Sequence, residues 1–330
     1  MKLKNLLYYP IAITLLLTQV PRAAAITTDE LADVIEQMET AIVDISMEYE
    51  EHIIPPSTHE EAKEKMGFDV LISKDGYMRY KFSAARLLPK DDPNTMNWDG
   101  PGLFFSDLAT TLVTKEGNSW EAVTKQSYNG QVGKEFKAGS WPPREDGSGT
   151  GTISLRRPSN FGTATPFGLS VLRLAYSGES TPISDRLLSA RLRAKDRVLL
   201  DDVVRQVDGF NTIRADLLTD FVLNDGSRVV YMRIYFSVDH GYTPVKFEHM
   251  KGTNKVALSA NVESLEEVAE GVWFPNSGVY TSADRDRVNA FQVIGPILIN
   301  QGLTDEDFDI DFPVGTKVHD EIQDKEYIVK

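Results

Sequence analysis

Residues 229–238, Val-Val-Tyr-Met-Arg-Ile-Tyr-Phe-Ser-Val, alternate with a period of two. Val230, Met232, Ile234, Phe236 and Val238 fall on one face, and Tyr231, Arg233, Tyr235 and Ser237 on the other. Successive side chains of a strand point to opposite sides, so the pattern specifies an antiparallel strand with one face covered and one face wet. Working outward, Asp225-Gly226 and His240-Gly241 bracket this strand, and Asp75-Gly76, Gly117-Asn118, Asn129-Gly130, Asp208-Gly209 and Glu270-Gly271 punctuate other runs rich in β-branched and aromatic residues. Such dipeptides supply the positive backbone angles of tight hairpins. The chain therefore reads as a meander of antiparallel hairpins. Met78, Tyr80 and Phe82 repeat the alternation against Arg79, Lys81 and Ser83.

An apolar sheet face this long needs a cover, and helices supply it. Thr27 and Glu30 form a capping-box pattern, after which Leu31, Val34, Ile35, Met38, Ile42 and Ile45 recur at helical spacing to about Ser46. A short extended piece, Met47 to Ile54, and the turn at Pro55-Pro56 follow. A second covering helix is expected near Ile183 to Lys195, inside a loop and helical insertion around 140–197 that begins with the glycine-rich tip Pro142 to Gly151. The fold class is α+β, a single antiparallel sheet covered by helices. With no linker between two cores and no internal repeat, residues 26–330 read as one domain; a division near 150 to 180 is the alternative.

Ahead of that domain, residues 1–25 read as a signal peptide: Lys2 and Lys4, an apolar stretch from Leu6 to Val20, then Arg22-Ala23-Ala24-Ala25 with small residues before a cleavage point after Ala25. The apolar stretch is interrupted by Tyr8, Tyr9, Pro10, Thr14, Thr18 and Gln19, short of the ~20 apolar residues of a spanning helix. The chain contains no cysteine, so acylation at a cysteine is closed to it. The expectation is an exported, periplasmic protein without a lipid anchor.

Loss of Lys2, Lys4 and Arg22 leaves 32 of the 35 basic residues against 49 acidic ones, a net charge of −17. That balance excludes nucleic acid as a partner. It also rules out disulfide staples, a thiolate nucleophile and thiolate metal sites, because there is no thiol.

No catalytic motif emerges. Gly168-Leu169-Ser170 lacks the second glycine of a nucleophile elbow. His59-Glu60-Glu61-Ala62-Lys63 has lysine where a zinc helix needs its second histidine. His52, His59, His240, His249 and His319 are scattered, although a triad formed only in three dimensions remains open. In the acidic run 305–312, Asp307, Asp309 and Asp311 share a face, but the glycine and glutamate of a calcium loop are replaced by Phe312 and Val318. Phe308, Ile310 and Phe312 on the other face indicate an edge strand instead. Gly147 to Gly151 has no Lys-Ser/Thr behind it and reads as a flexible tip rather than a phosphate loop. No metal, cofactor or catalytic residue is assigned.

One basic segment stands out against the acidic whole. Arg186, Arg191, Arg193, Lys195 and Arg197 lie among Leu187, Leu188 and Leu192. Arg186, Arg191 and Arg193 are candidates for transient contact with an anionic membrane surface, although a solvated face paired with the chain's own carboxylates is the favoured reading of this segment.

The order of elements, leader, amphipathic helix, hairpin meander, helical insertion and further hairpins, resembles the periplasmic lipoprotein-carrier (LolA-like) family. The local matches are the hairpin Phe68 to Phe82, Ser127-Tyr128-Asn129-Gly130, Tyr235-Phe236 to Phe247-Glu248 around Asp239-His240-Gly241-Tyr242-Thr243-Pro244, and Gly271-Val272-Trp273-Phe274-Pro275. The resemblance implies a curved, open half-barrel whose concave apolar face is lidded by helices and receives a lipid or lipoprotein acyl chain. It implies cavity-facing roles for Leu31, Ile35 and Met38 from the helix and Met78, Tyr80, Phe82, Ile234, Phe236 and Phe247 from the sheet, with Trp98 and Trp120 at the mouth. It also implies a lid contact at Lys74, where the carriers have arginine; lysine lacks that residue's planar set of donors. Plain core is the reading that such contiguous apolar faces favour over exchangeable lining, and Trp98 and Trp120 fit equally well as surface or core anchors. An envelope sensor or scaffold that binds a protein partner is the alternative function.

Overall fold

The computed structural model describes residues 26–42, 44–54, 79–86, 103–113, 119–128, 132–138, 149–155, 187–219, 222–252, 255–282, 287–303 and 310–330. After helix α1 (Thr28–Ala41) come β1 (Asp44–Ile54), β2 (Arg79–Arg86), β3 (Leu103–Val113), β4 (Ser119–Tyr128), β5 (Gly133–Ala138) and β6 (Thr150–Ser154). Helix α2 (Leu188–Arg193) and a 3₁₀ turn at Lys195–Arg197 lead into β7 (Val198–Val207), β8 (Phe210–Leu218), β9 (Val230–Ser237), β10 (Thr243–Lys251), β11 (Lys255–Ala269), β12 (Val272–Ser282) and β13 (Arg287–Ile299). The hairpin β14 (Lys317–Asp320) and β15 (Lys325–Ile328) closes the chain.

These strands form one sheet in the order β15-β14-β6-β5-β4-β3-β2-β1-β13-β12-β11-β10-β9-β8-β7. It is an open sheet whose ends, β15 and β7, are far apart in that order. Each described pairing is antiparallel except β14 with β6. The expected meander is present from β7 to β13, where every strand pairs with the next. Its turns have the expected chemistry: Asp208 and Gly209 both take positive φ between Val207 and Phe210, as a two-residue hairpin requires.

The alternation is observed from Met232 to Phe236, whereas Ser237, expected on the wet face, is fully buried. Met232, Ile234 and Phe236 are buried on the inner face, and Arg233 and Tyr235 lie outside. On that outer face Asp216 sits 3.1 Å from Arg214 and 3.5 Å from Arg233. The inner faces of β8 to β13 and the start of β1 share one apolar cluster with α1 and α2. Flat, seven strands would span about 29 Å at ~4.8 Å spacing, whereas two helices side by side cover about 20 Å. Wrapping that many strands over two helices needs a curled sheet, the sense in which the helices cover a concave face.

Four local expectations are corrected. Thr150 and Gly151, read as the end of a flexible glycine-rich tip, instead open strand β6, paired with β5, and Gly151 is buried. The first helix ends at Ala41, not near Ser46. Ile45 is still buried, but as a strand residue paired with Ile299. The Asp44 carboxylate accepts backbone N–H bonds from Gln301, Gly302 and Leu303, and the Asn300 amide donates to the Ala41 carbonyl. Those bonds to a segment more than 250 residues away outweigh local periodicity, because they satisfy the end of α1 and pin β1 in register. The second helix is only Leu188–Arg193; residues 183–186 lie outside the described set. Finally, Ile310 to Phe312 are not a strand. The place beside β6 is taken by β14, whose Val318 is fully buried, while Phe312 packs over Gly151, where a Cβ would meet its ring at 2.9 Å. Asp307, Asp309 and Phe308 lie outside the described residues.

Candidate functional site

The site is built on α1. Its N-terminus is secured by the capping box: the Thr27 hydroxyl accepts from the Glu30 N–H at 3.2 Å, and the Glu30 carboxylate accepts from the Thr27 N–H at 2.8 Å. These bonds to the charged form hold the Glu30 carboxyl below its ordinary pKa. The repeat at positions 31, 35 and 38 then places Leu31, Ile35 and Met38 on one stripe facing the sheet, all buried.

Across from them are Ile234 and Phe236 of β9 and Phe247 of β10, at most 1% exposed. The structure thus brings six of the sequence-assigned cavity residues into one cluster. Tyr80 and Phe82 lie on β2, opposite Glu51 and Tyr49 of β1; their side chains, and Met78 and Lys74 altogether, are outside the described residues, as are Trp98 and the side chain of Trp120.

The other side of α1 is polar and faces the α2 segment. Ser189 donates to the Glu39 carboxylate through both its backbone N–H (3.0 Å) and its hydroxyl, in a contact that is buried despite the charge. Further out, the Arg193 guanidinium bonds Asp33 and Glu36 at 2.7 Å each, and the Lys195 ammonium meets Asp29 at 2.7 Å. Arg193 titrates above its usual range, chiefly through the hydrogen bond to Asp33. Of the basic residues expected to face a membrane, Arg191 is buried and Arg193 is held by acids of α1; Arg186 is outside the described residues. This stripe works as a clasp between two helices. The expected pairing of this segment with the chain's own carboxylates is observed for Arg193 and Lys195; which carboxylates was not legible, because the halves are about 150 residues apart, although Asp29, Asp33 and Glu36 share one face of the helical repeat.

A shallow cleft opens where α1 ends. Met38 and Ile42 form its helix side, and Pro244, Val272, Trp273 and Pro275 its strand side, with about 10 Å³ of accessible space, room for roughly a single water. Its strand wall is stiff. The His240 ring stands edge-on to Trp273 at 4.7 Å and to Phe210 at 5.6 Å, and its Nδ1 is 2.8 Å from the Ser237 hydroxyl. The turn carrying it has Gly241 and Tyr242 both at φ 61°; for an aromatic residue that angle is uncommon and marks a constrained corner. The two hairpins of this wall are among the four segments on which the resemblance was drawn, but no cleft was assigned to them from sequence.

Among the described residues no group of three or more His, Asp or Glu is placed to hold a metal ion, and no helix is long and apolar enough to cross a membrane.

No family model matches the chain, and no curated protein matches it in sequence. Solved structures similar to it include a DUF1329 family protein from Desulfovibrio piger, 12% identical, covering 86% of this chain and 95% of that one with a TM-score of 0.41. A putative outer membrane lipoprotein-sorting protein domain from Vibrio parahaemolyticus is 11% identical over 85% of this chain and 95% of that one, TM-score 0.41. A LolA superfamily protein from Nitrosomonas europaea is 10% identical over 87% of this chain and 99% of that one, TM-score 0.39. The likeness in each case is one of fold; this chain itself displays an open sheet whose apolar face is covered by two helices.

Proposed function

We propose that the protein is exported after cleavage at Ala25 and shelters a lipid or lipoprotein acyl chain between α1 and the concave face of the sheet, using Leu31, Ile35, Met38, Ile234, Phe236 and Phe247, with Met78, Tyr80 and Phe82 extending the lining. The observation that carries this reading is how α1 is attached. It belongs to no ladder of the sheet, it covers the apolar face by side-chain packing, and its outer side is held by exposed ion pairs.

Magnitudes make the exchange feasible. Baring Leu31, Ile35 and Met38 together with the facing Ile234, Phe236 and Phe247 costs roughly 9–18 kcal/mol at about 1.5–3 kcal/mol each. An acyl chain of about 16 carbons regains ~0.8 kcal/mol per buried methylene, roughly 12 kcal/mol. A ligand of that class regains an amount comparable to the opening; a small polar one does not. The test is mass spectrometry of protein purified from the cell envelope, which separates bound acylglycerol lipid from acylated peptide. Protein that carries neither, and that fails to take up an acyl probe, would sink the reading.

The alternative, an envelope sensor or scaffold for a protein partner, draws support from β7, an end strand whose Leu199, Val203 and Val204 are exposed. In that case cross-linking in the envelope recovers a partner whose contact maps to β7, and the core stays closed.

A further inference from the structure

The inner face of the sheet does not stay apolar to its end. Val198, Leu217, Met232, His249 and Leu258 are successive cross-strand partners on β7 to β11, and residues directly opposite one another share a face. The four aliphatic members pack in or against the apolar cluster; between Met232 and Leu258 stands an imidazole. One step further along β10, Lys251 points the same way by alternation and lies opposite Lys255 of β11, both exposed. Resting on the acyl-sheltering reading above, we propose that the sheltered molecule is an amphiphile with an anionic head, a carboxylate or a phosphate, and that His249, Lys251 and Lys255 hold that head at the end of the inner face away from the cleft.

The first argument is position. Met38 and Ile42, from the end of α1, meet Thr243 and Pro244 at the start of β10. The beginning of α1 lies toward the other end of the strands, because Asp29 pairs with Lys195 just before Val198 opens the row that contains His249. The apolar stripe of α1 therefore runs over Phe247 toward His249. A chain lying in its place brings its head to the imidazole.

The second argument is charge. Like charges directly opposite each other destabilise a pair of strands, and the chain carries a net charge of −14, yet Lys251 and Lys255 face one another beside a histidine. An anion between them replaces that repulsion with charge-assisted hydrogen bonds. The groups facing the ring are Met232 from β9, Leu258 from β11 and the two lysines; Arg233 and Glu248 project from the opposite face, and Asp29 and Lys195 are paired with each other where α1 begins. Burial holds the His249 pKa down, whereas an anionic head favours the protonated ring and moves that pKa back up.

Calorimetry with probes of one chain length tests the assignment: tetradecyl sulfonate, whose charge does not change with pH, and the uncharged glyceryl monotetradecanoate. The sulfonate is expected to bind at least about tenfold tighter than the glyceride at about pH 6, and tighter at about pH 5.5 than at about pH 8 as His249 takes up its proton. His249→Gln should flatten that profile, and Lys255→Gln, on the exposed rim, should shrink the sulfonate's advantage at both pH values. Tetradecanoate and dimyristoyl phosphatidate, compared under the same conditions, identify the carboxylate or the phosphate as the preferred head. Glyceride binding as tight as the sulfonate, or an identical pH profile in His249→Gln, overturns the anionic head and leaves the sheltering reading standing. No binding of any acyl probe overturns both.

Discussion

Glu39 is a carboxylate on the buried margin of α1, 6% exposed, and Ser189 meets it with both a backbone and a side-chain donor. Removing it leaves a buried N–H without its acceptor, and that loss exceeds the worth of the hydrogen bond itself. Glu39→Ala is expected to lower unfolding free energy by about 1–3 kcal/mol, with Ser189→Ala costing less because the backbone donor remains; urea titration of both variants measures the difference. His249 on β10 gives a second residue-scale expectation. Burial holds its pKa below the ordinary histidine value. A base whose folded pKa is depressed binds its proton more tightly when unfolded, so the associated stability is present above the unfolded value of about 6.5 and is lost as pH falls below it. Thermal unfolding between pH 7.5 and 5 should show the decline, and His249→Gln should flatten it. An unchanged slope would mean that burial of this ring does not govern acid sensitivity.

Helix α1 is held by two unlike kinds of contact, and they respond to different perturbations. Its inner stripe is apolar and indifferent to salt; its outer pairs, Arg193 to Asp33 and Glu36 and Lys195 to Asp29, are solvent-exposed and each contributes at most about 1 kcal/mol, less at high salt. Amide hydrogen exchange in α1 is therefore expected to speed up modestly with added salt and in Arg193→Gln, with exchange in β9 and β10 unaffected. If α1 and the strands beneath it speed up together, the helix is not a separable lid. Its C-terminal end is fixed separately, by the hydrogen bonds of Asn300 and Asp44 at the junction with β1.

Across the whole molecule, the sheet has two managed ends. At one, the hairpin β14–β15 covers β6 through a four-residue parallel pairing and buries Val318 and Thr316. Truncation before Pro313 would free the β6 edge now paired with β14; concentration-dependent association in size-exclusion chromatography is the expected result. At the other end β7 bulges between Asp201 and Arg205, where three residues face one on β8. This irregularity breaks the flat edge that a further strand would need.

Amino-acid order by itself determined the period-two strands, the hairpin turns and the start of α1, because each depends on neighbours within a few residues: alternation sets the face, Asp208-Gly209 sets the turn, and Thr27 with Glu30 sets the cap. It also marked Leu31, Ile35, Met38, Ile234, Phe236 and Phe247 as apolar faces seeking cover. Where α1 stops, what holds it and where the cleft opens were decided only in the tertiary structure. Ala41 is capped by Asn300, Glu39 by Ser189, and Met38 meets Trp273 and Pro275 across the cleft, each over more than 140 residues of chain. No local pattern encodes such partners, since they become neighbours only after the sheet has curled around the helix.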